Sequence, residues 1–156
     1  MAAHTRSDYA ARHVPPRFRR AGRARVSQRD VVLRWIEQLG LVVARLLRGP
    51  GEADLALAAE QVRAAITQIL GPLHATVPKL DAASAAGLLH DPERIYGYAR
   101  LLGLQAAIEQ AGGNAAFGDT RARAAAMVRE AMARATPAPA DWGAWLEELD
   151  GRGSGK

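Results

Sequence analysis

Between Ser27 and Arg48 apolar side chains recur at helical spacing for about six turns, and the run stops abruptly at Gly49-Pro50-Gly51. At about 100° per residue, Val31, Val42, Trp35, Leu46, Leu39, Val32, Val43, Ile36 and Leu47 fall in one arc. Glu37, Arg48, Arg34, Arg45 and Gln38 lie opposite, with Leu41 alone among them. Such a period cannot serve a strand, whose side chains alternate every second residue. An arc wider than half a helix predicts cover on two sides, so this segment reads as the central element of the fold. Ser27 followed by Asp30 predicts its start, because a side-chain oxygen at that position accepts from a free helix amide.

The same punctuation divides the rest of the chain. A second helix is predicted from Glu52 to Leu70, with Glu52 and Asp54 suited to its positive end and Gly71-Pro72 stopping it. Its single stripe of Leu55, Ala58, Val62, Ile66 and Ile69 predicts that it covers one side of something else. Leu73 to Leu80 reads as a loop, and Asp81 caps a short helix through Leu89. Asp91-Pro92 opens a helix to about Ala111, where Ala99, Gly103 and Ala107 make one edge nearly flat. A last long helix is predicted from Asp119 or Thr120 to Ala135, with Met127, Val128, Ala131 and Met132 inward and Arg123, Glu130 and Arg134 outward. The expected class is all-α: two antiparallel hairpins, residues 27–70 and 92–135, joined by a short helix, with a short amphipathic helix at 141–150 behind the linker 136–140.

Charge divides the chain differently. Met1 to Val26 carries seven arginines and one acid, whereas the whole chain has 21 Lys+Arg against 16 Asp+Glu. With Pro15-Pro16 and no apolar period, residues 1–26 read as a disordered basic arm. Its arginines suggest phosphate or an acidic surface as partner, or a solvated tail, or a segment preceding an actual start at Val26. Arg19-Arg20 is followed by no apolar run of a secretory signal, and Arg34, Glu37 and Arg45 interrupt the most apolar window. A cytoplasmic protein with no membrane span is therefore expected. The lack of cysteine excludes disulfides, thiolate nucleophiles and Cys-ligated metals.

The two hairpins resemble degenerate tetratricopeptide-like repeats, the second more closely through Leu102-Gly103, the Gly112-Gly113 turn and the small residues Ala122, Ala125 and Ala126. The second departs from that pattern in the long turn from Gly113 to Gly118 and in lacking the terminal proline. The stretch RDVVLRWIEQLGLVVARLL is similar to the opening of a family of small bacterial helical proteins with an IEQLG-type segment. What these resemblances imply is a protein-binding scaffold over residues 27–135.

No constellation for catalysis emerges. His4 and His13 lie in the arm and His74 and His90 near loop ends, without the i, i+4 spacing of a metal site; His74, His90 and Asp91 are the only set that could converge. GRGSGK at the C-terminus falls one residue short of a phosphate loop, and Ser7, Ser27, Ser84 and Ser154 have no glycine elbow. No metal, cofactor or enzymatic activity is expected. In DWGAWLEELD, Trp142, Trp145, Leu146 and Leu149 share one face, with Glu147, Glu148 and Asp150 opposite. That face either folds back on its own domain or docks into another protein's groove. Three functional readings follow: a scaffold binding another protein through its groove or Trp142, Trp145, Leu146 and Leu149; nucleic-acid binding through Arg17, Arg19, Arg20, Arg23 and Arg25; or self-association through unpaired end faces.

Overall fold

The computed structural model describes residues 18–49 and 51–151, residues 18–30 by their backbone alone. Six α-helices and two short 3-10 turns are present among them: α1 (Phe18–Leu47), α2 (Glu52–Leu70), α3 (Ala82–Leu89), α4 (Pro92–Ala111), α5 (Phe117–Arg134) and α6 (Ala140–Leu149). The chain divides into two units, residues 1–31 and 32–156. Of the first, only the helical backbone from Phe18 is described. Residues 1–17, including Arg17, and the tail from Arg152 lie outside the described residues. Among those described, no helix is long and apolar enough to cross a membrane.

The all-α class follows from the periodicity, and most helix ends lie where the sequence places them. Asp81 accepts from the Ser84 amide and Asp91 from the Glu93 amide, each at 3.4 Å, at the starts of α3 and α4. Two boundaries differ. α1 begins at Phe18 rather than at Ser27, so residues 18–26, read as part of a disordered arm, have helical backbone. Alanine and arginine, both strong helix formers, fill most of that stretch and let the helix run past the Ser27 signal. α5 begins at Phe117, two to three residues before the expected cap, and Thr120 instead hydrogen-bonds through its hydroxyl to the Ala116 carbonyl. The expected loop 73–80 contains 3-10 turns at Gly71–Leu73 and Val77–Lys79, and Val77 is fully buried.

The central element is α4, not α1. From Pro92 to Glu109 no residue of α4 is exposed. Its Leu101 and Ile108 join Ile36, Leu39 and Val43 of α1 and Ala58, Val62 and Ala65 of α2 in one core cluster. Its Ile95, Tyr96, Tyr98, Ala99 and Leu102 join α3, α5, Val77 and Trp142 in a second. α4 pairs most extensively with α5, and the short turn between them makes the pair antiparallel. The wide apolar arc of α1 is covered only in part: its Val32 and Val42 are each 41% exposed, and Leu41, on the opposite side, is 71% exposed.

Close packing requires glycine at two places on α4. A methyl group at Gly97 would stand 2.7 Å from Ile69 Cδ1 and 3.2 Å from Ile36 Cδ1. One at Gly103 would stand 2.7 Å from the Trp145 ring, so the flat edge of α4 receives an indole. Arg123 likewise departs from expectation: it turns back to donate to the Leu80 and Val77 carbonyls at 2.6 and 2.9 Å.

Between α3 and α4 the chain reverses through His90 at φ 60° and ψ −52°, with the Asp91 amide donating to the Leu89 carbonyl at 2.7 Å. This is a γ-turn of the rare, strained hand. Its strain, about 1–3 kcal/mol, exceeds the roughly 0.5–1 kcal/mol by which glycine stabilises an unfolded chain. Since His90 is exposed, His90→Gly is expected to raise stability by about 0.5–2 kcal/mol, read as a higher urea midpoint at unchanged slope.

Candidate functional site

Three features of the helical unit have the geometry to engage something: the seat of α6, a cleft between α2 and α4, and the exposed face of α1.

The α6 seat is built on aromatic contact. Trp142 is 4% exposed and stacks on Tyr96 with ring centroids 4.4 Å apart and planes 10° from parallel. Trp145 meets the same ring edge-on at 5.7 Å. The Arg100 guanidinium lies 4.7 Å above the Trp145 ring, where the negative face of the indole attracts it. Leu146 and Leu149 are partly buried against the same core. Polar contacts fix the other end of the helix: Arg121 donates to the Leu149 and Glu148 carbonyls at 2.8 and 2.5 Å, and Arg129 reaches both Asp150 carboxylate oxygens at 2.6 and 2.7 Å. The partner-binding candidates Trp142, Trp145, Leu146 and Leu149 are thus brought together by the structure, facing their own domain.

A hollow of about 330 Å³ opens beside this seat, edged by Arg100, Glu37, Asp141 and Glu148. Burial pushes the Tyr96 phenol above its ordinary value of 10; Arg100 opposes the shift and the Asp141 carboxylate adds to it. The other displaced group, Asp81, is held below the usual carboxylate range by its hydrogen bond to Ser84, as its capping role requires.

The cleft between α2 and α4 encloses about 540 Å³. Leu55, Val62, Ile66 and Ile108 give it an apolar floor, with Arg63, Thr67, Gln105 and Glu109 on its walls. Gln105 donates to Glu109 Oε1 at 2.9 Å, whereas the buried Glu109 Oε2 has no hydrogen-bond partner among the described residues. That oxygen can accept a hydrogen bond from a donor entering the cleft. Pattern reading singled out neither Glu109 nor Gln105. Their i, i+4 spacing is the only sequence signal, and it becomes informative only once α2 closes over it.

The remaining sequence candidates are dispersed. Arg19, Arg20, Arg23 and Arg25 fall on the backbone-only stretch of α1, and Arg17 precedes it. His74 and His90 are exposed, and the His74 ring Nδ1 donates to the Gly71 carbonyl at 2.9 Å. Among the described residues no three His, Asp or Glu side chains cluster as metal ligands. Comparison with protein-family models, curated proteins and solved structures gives no match.

Trp142→Ala is expected to cost about 3–5 kcal/mol, as for a large core aromatic, measured by chemical denaturation. The Tyr96 proton gives a second expectation. Because the folded phenol holds its proton more tightly than the unfolded one, its contribution is complete below pH 10 and is lost as pH rises through the folded value. Stability should therefore fall above pH 10, and Tyr96→Phe should make that fall shallower in alkaline denaturation curves.

Proposed function

We propose that this chain is a non-enzymatic helical scaffold, tetratricopeptide-like in kind, that binds a segment of another protein in the cleft between α2 and α4. The observation that supports it is the combination in that cleft of an apolar floor with an unsatisfied carboxylate oxygen at Glu109. An apolar floor with few polar groups on the walls is the usual make-up of a recognition cleft. A donor from the bound segment would satisfy Glu109 Oε2, and apolar side chains would fill the floor. Binding through the Trp142 and Trp145 face is the less favoured version of the same reading. It would first require lifting Trp142 off Tyr96 and re-exposing a side chain now 4% exposed.

Ala56 and Thr67 line the cleft and are exposed, so they can be changed without entering the core. Cross-linking in native lysate is expected to recover one stoichiometric partner with the unmodified chain and to lose it with Ala56→Arg/Thr67→Arg. Equal recovery by both, or recovery of nothing by either, would reject the cleft.

A further inference from the structure

The exposed face of α1 belongs to neither the cleft nor the α6 seat, and its composition is unusual for a face left open to water. In helical register Leu41, Arg34, Arg45, Gln38 and Val42 fall within about 100° of one another, roughly opposite the buried Leu39, Val43 and Ile36. Leu41 is 71% exposed and Val42 41%. Arg34 and Arg45 stand exposed between them, and Arg48 follows just past the helix end. Trp35, half-buried, borders the arc on the Val42 side. The exposed Glu37 borders Leu41 on the side away from Val42 and lines the hollow beside the α6 seat. Among the described residues the salt bridges are Arg129–Asp150 and Arg134–Glu130, on α5 and just past α6.

The chemistry of this face narrows what covers it. A second copy would bring arginines against arginines, which charge repulsion disfavours. A nucleic acid would satisfy the guanidiniums but gain nothing from Leu41 and Val42, the most protruding groups. An anionic bilayer surface takes both kinds of side chain at once. Arginine stems lie along the interface with their charges at lipid phosphates, while leucine, valine and tryptophan enter the boundary between headgroups and acyl chains. Charge therefore disfavours a second copy, and the exposed Leu41 and Val42 favour the lipid surface over a nucleic acid. We propose that the α1 face of Arg34, Leu41, Val42 and Arg45 binds anionic phospholipid membranes, with the helix lying in the interface plane. This is independent of the cleft and of what the cleft binds.

The test is co-sedimentation of the full chain with vesicles of phosphatidylcholine alone and of phosphatidylcholine with phosphatidylglycerol. Binding is expected only to the anionic vesicles and should weaken as salt rises. Leu41→Asp/Val42→Asp and, separately, Arg34→Glu/Arg45→Glu should each weaken partitioning by more than about tenfold. All four positions are exposed, so circular dichroism should show both variants folded, and Leu57→Asp, at an exposed apolar site on α2, should bind as the parent does. Failure of the parent to sediment, or retained binding by Leu41→Asp/Val42→Asp, would overturn the proposal; the latter would assign attraction to the arginine-rich N-terminal segment alone. A dimer in light scattering that dissociates on Leu41→Asp/Val42→Asp would overturn it in favour of a second copy. Loss of the cleft's partner on Ala56→Arg/Thr67→Arg would leave vesicle binding unchanged, so the two readings fail separately.

Discussion

The structure depends on one helix being denied any solvent face. α4 contributes to both core clusters, and every other helix of the unit is placed by which side of α4 it covers. Two of the closest approaches to it fall at glycines. At Gly97 the terminal methyls of Ile69 and Ile36 occupy the space of a side chain, and at Gly103 the Trp145 ring does. Each glycine weakens the helix by about 1 kcal/mol relative to alanine, and the packing it admits offsets that. Tyr98, Leu101 and Ile95, all within 1% exposure, fill the remaining sides.

Arginine supplies a second kind of connection. Arg94 donates to the Ile69 and Leu70 carbonyls at the end of α2, at 2.9 and 2.8 Å. Arg121 does the same at the end of α6, and Arg123 at the 3-10 turn before α3. In each case one planar guanidinium donates to two backbone carbonyls at a helix or turn end. The three contacts join segments at least 24 residues apart in sequence. Part of the chain's positive charge therefore serves backbone carbonyls, whereas the exposed Arg34 and Arg45 make no such contact among the described residues.

The aromatic seat and the cleft show how far local pattern carries. The spacing of Trp142, Trp145, Leu146 and Leu149 defines a helix face, but spacing cannot say against what the face closes. Tyr96 on α4 decides that, because a ring stacked at 4.4 Å is available there. The cleft had no local signature beyond the i, i+4 spacing of Gln105 and Glu109. Arg63 and Thr67 lie on one helix, Gln105 and Glu109 on another, and neither pair is distinguishable from ordinary solvated residues until the helices meet.

What the sequence determined by itself was the set of helices and most of their ends, since period, glycine-proline stops and aspartate caps act within a few residues of the positions they govern. Asp81, Asp91 and Gly112 show this directly. Rank among the helices was decided only in three dimensions. α1 has the broader apolar arc, yet α4 is enclosed, because its small residues let partners approach closely while Val32 and Val42 of α1's arc stay exposed. Amphipathicity records how much apolar surface a helix offers; which part of it is covered depends on the shapes of neighbours distant in the chain.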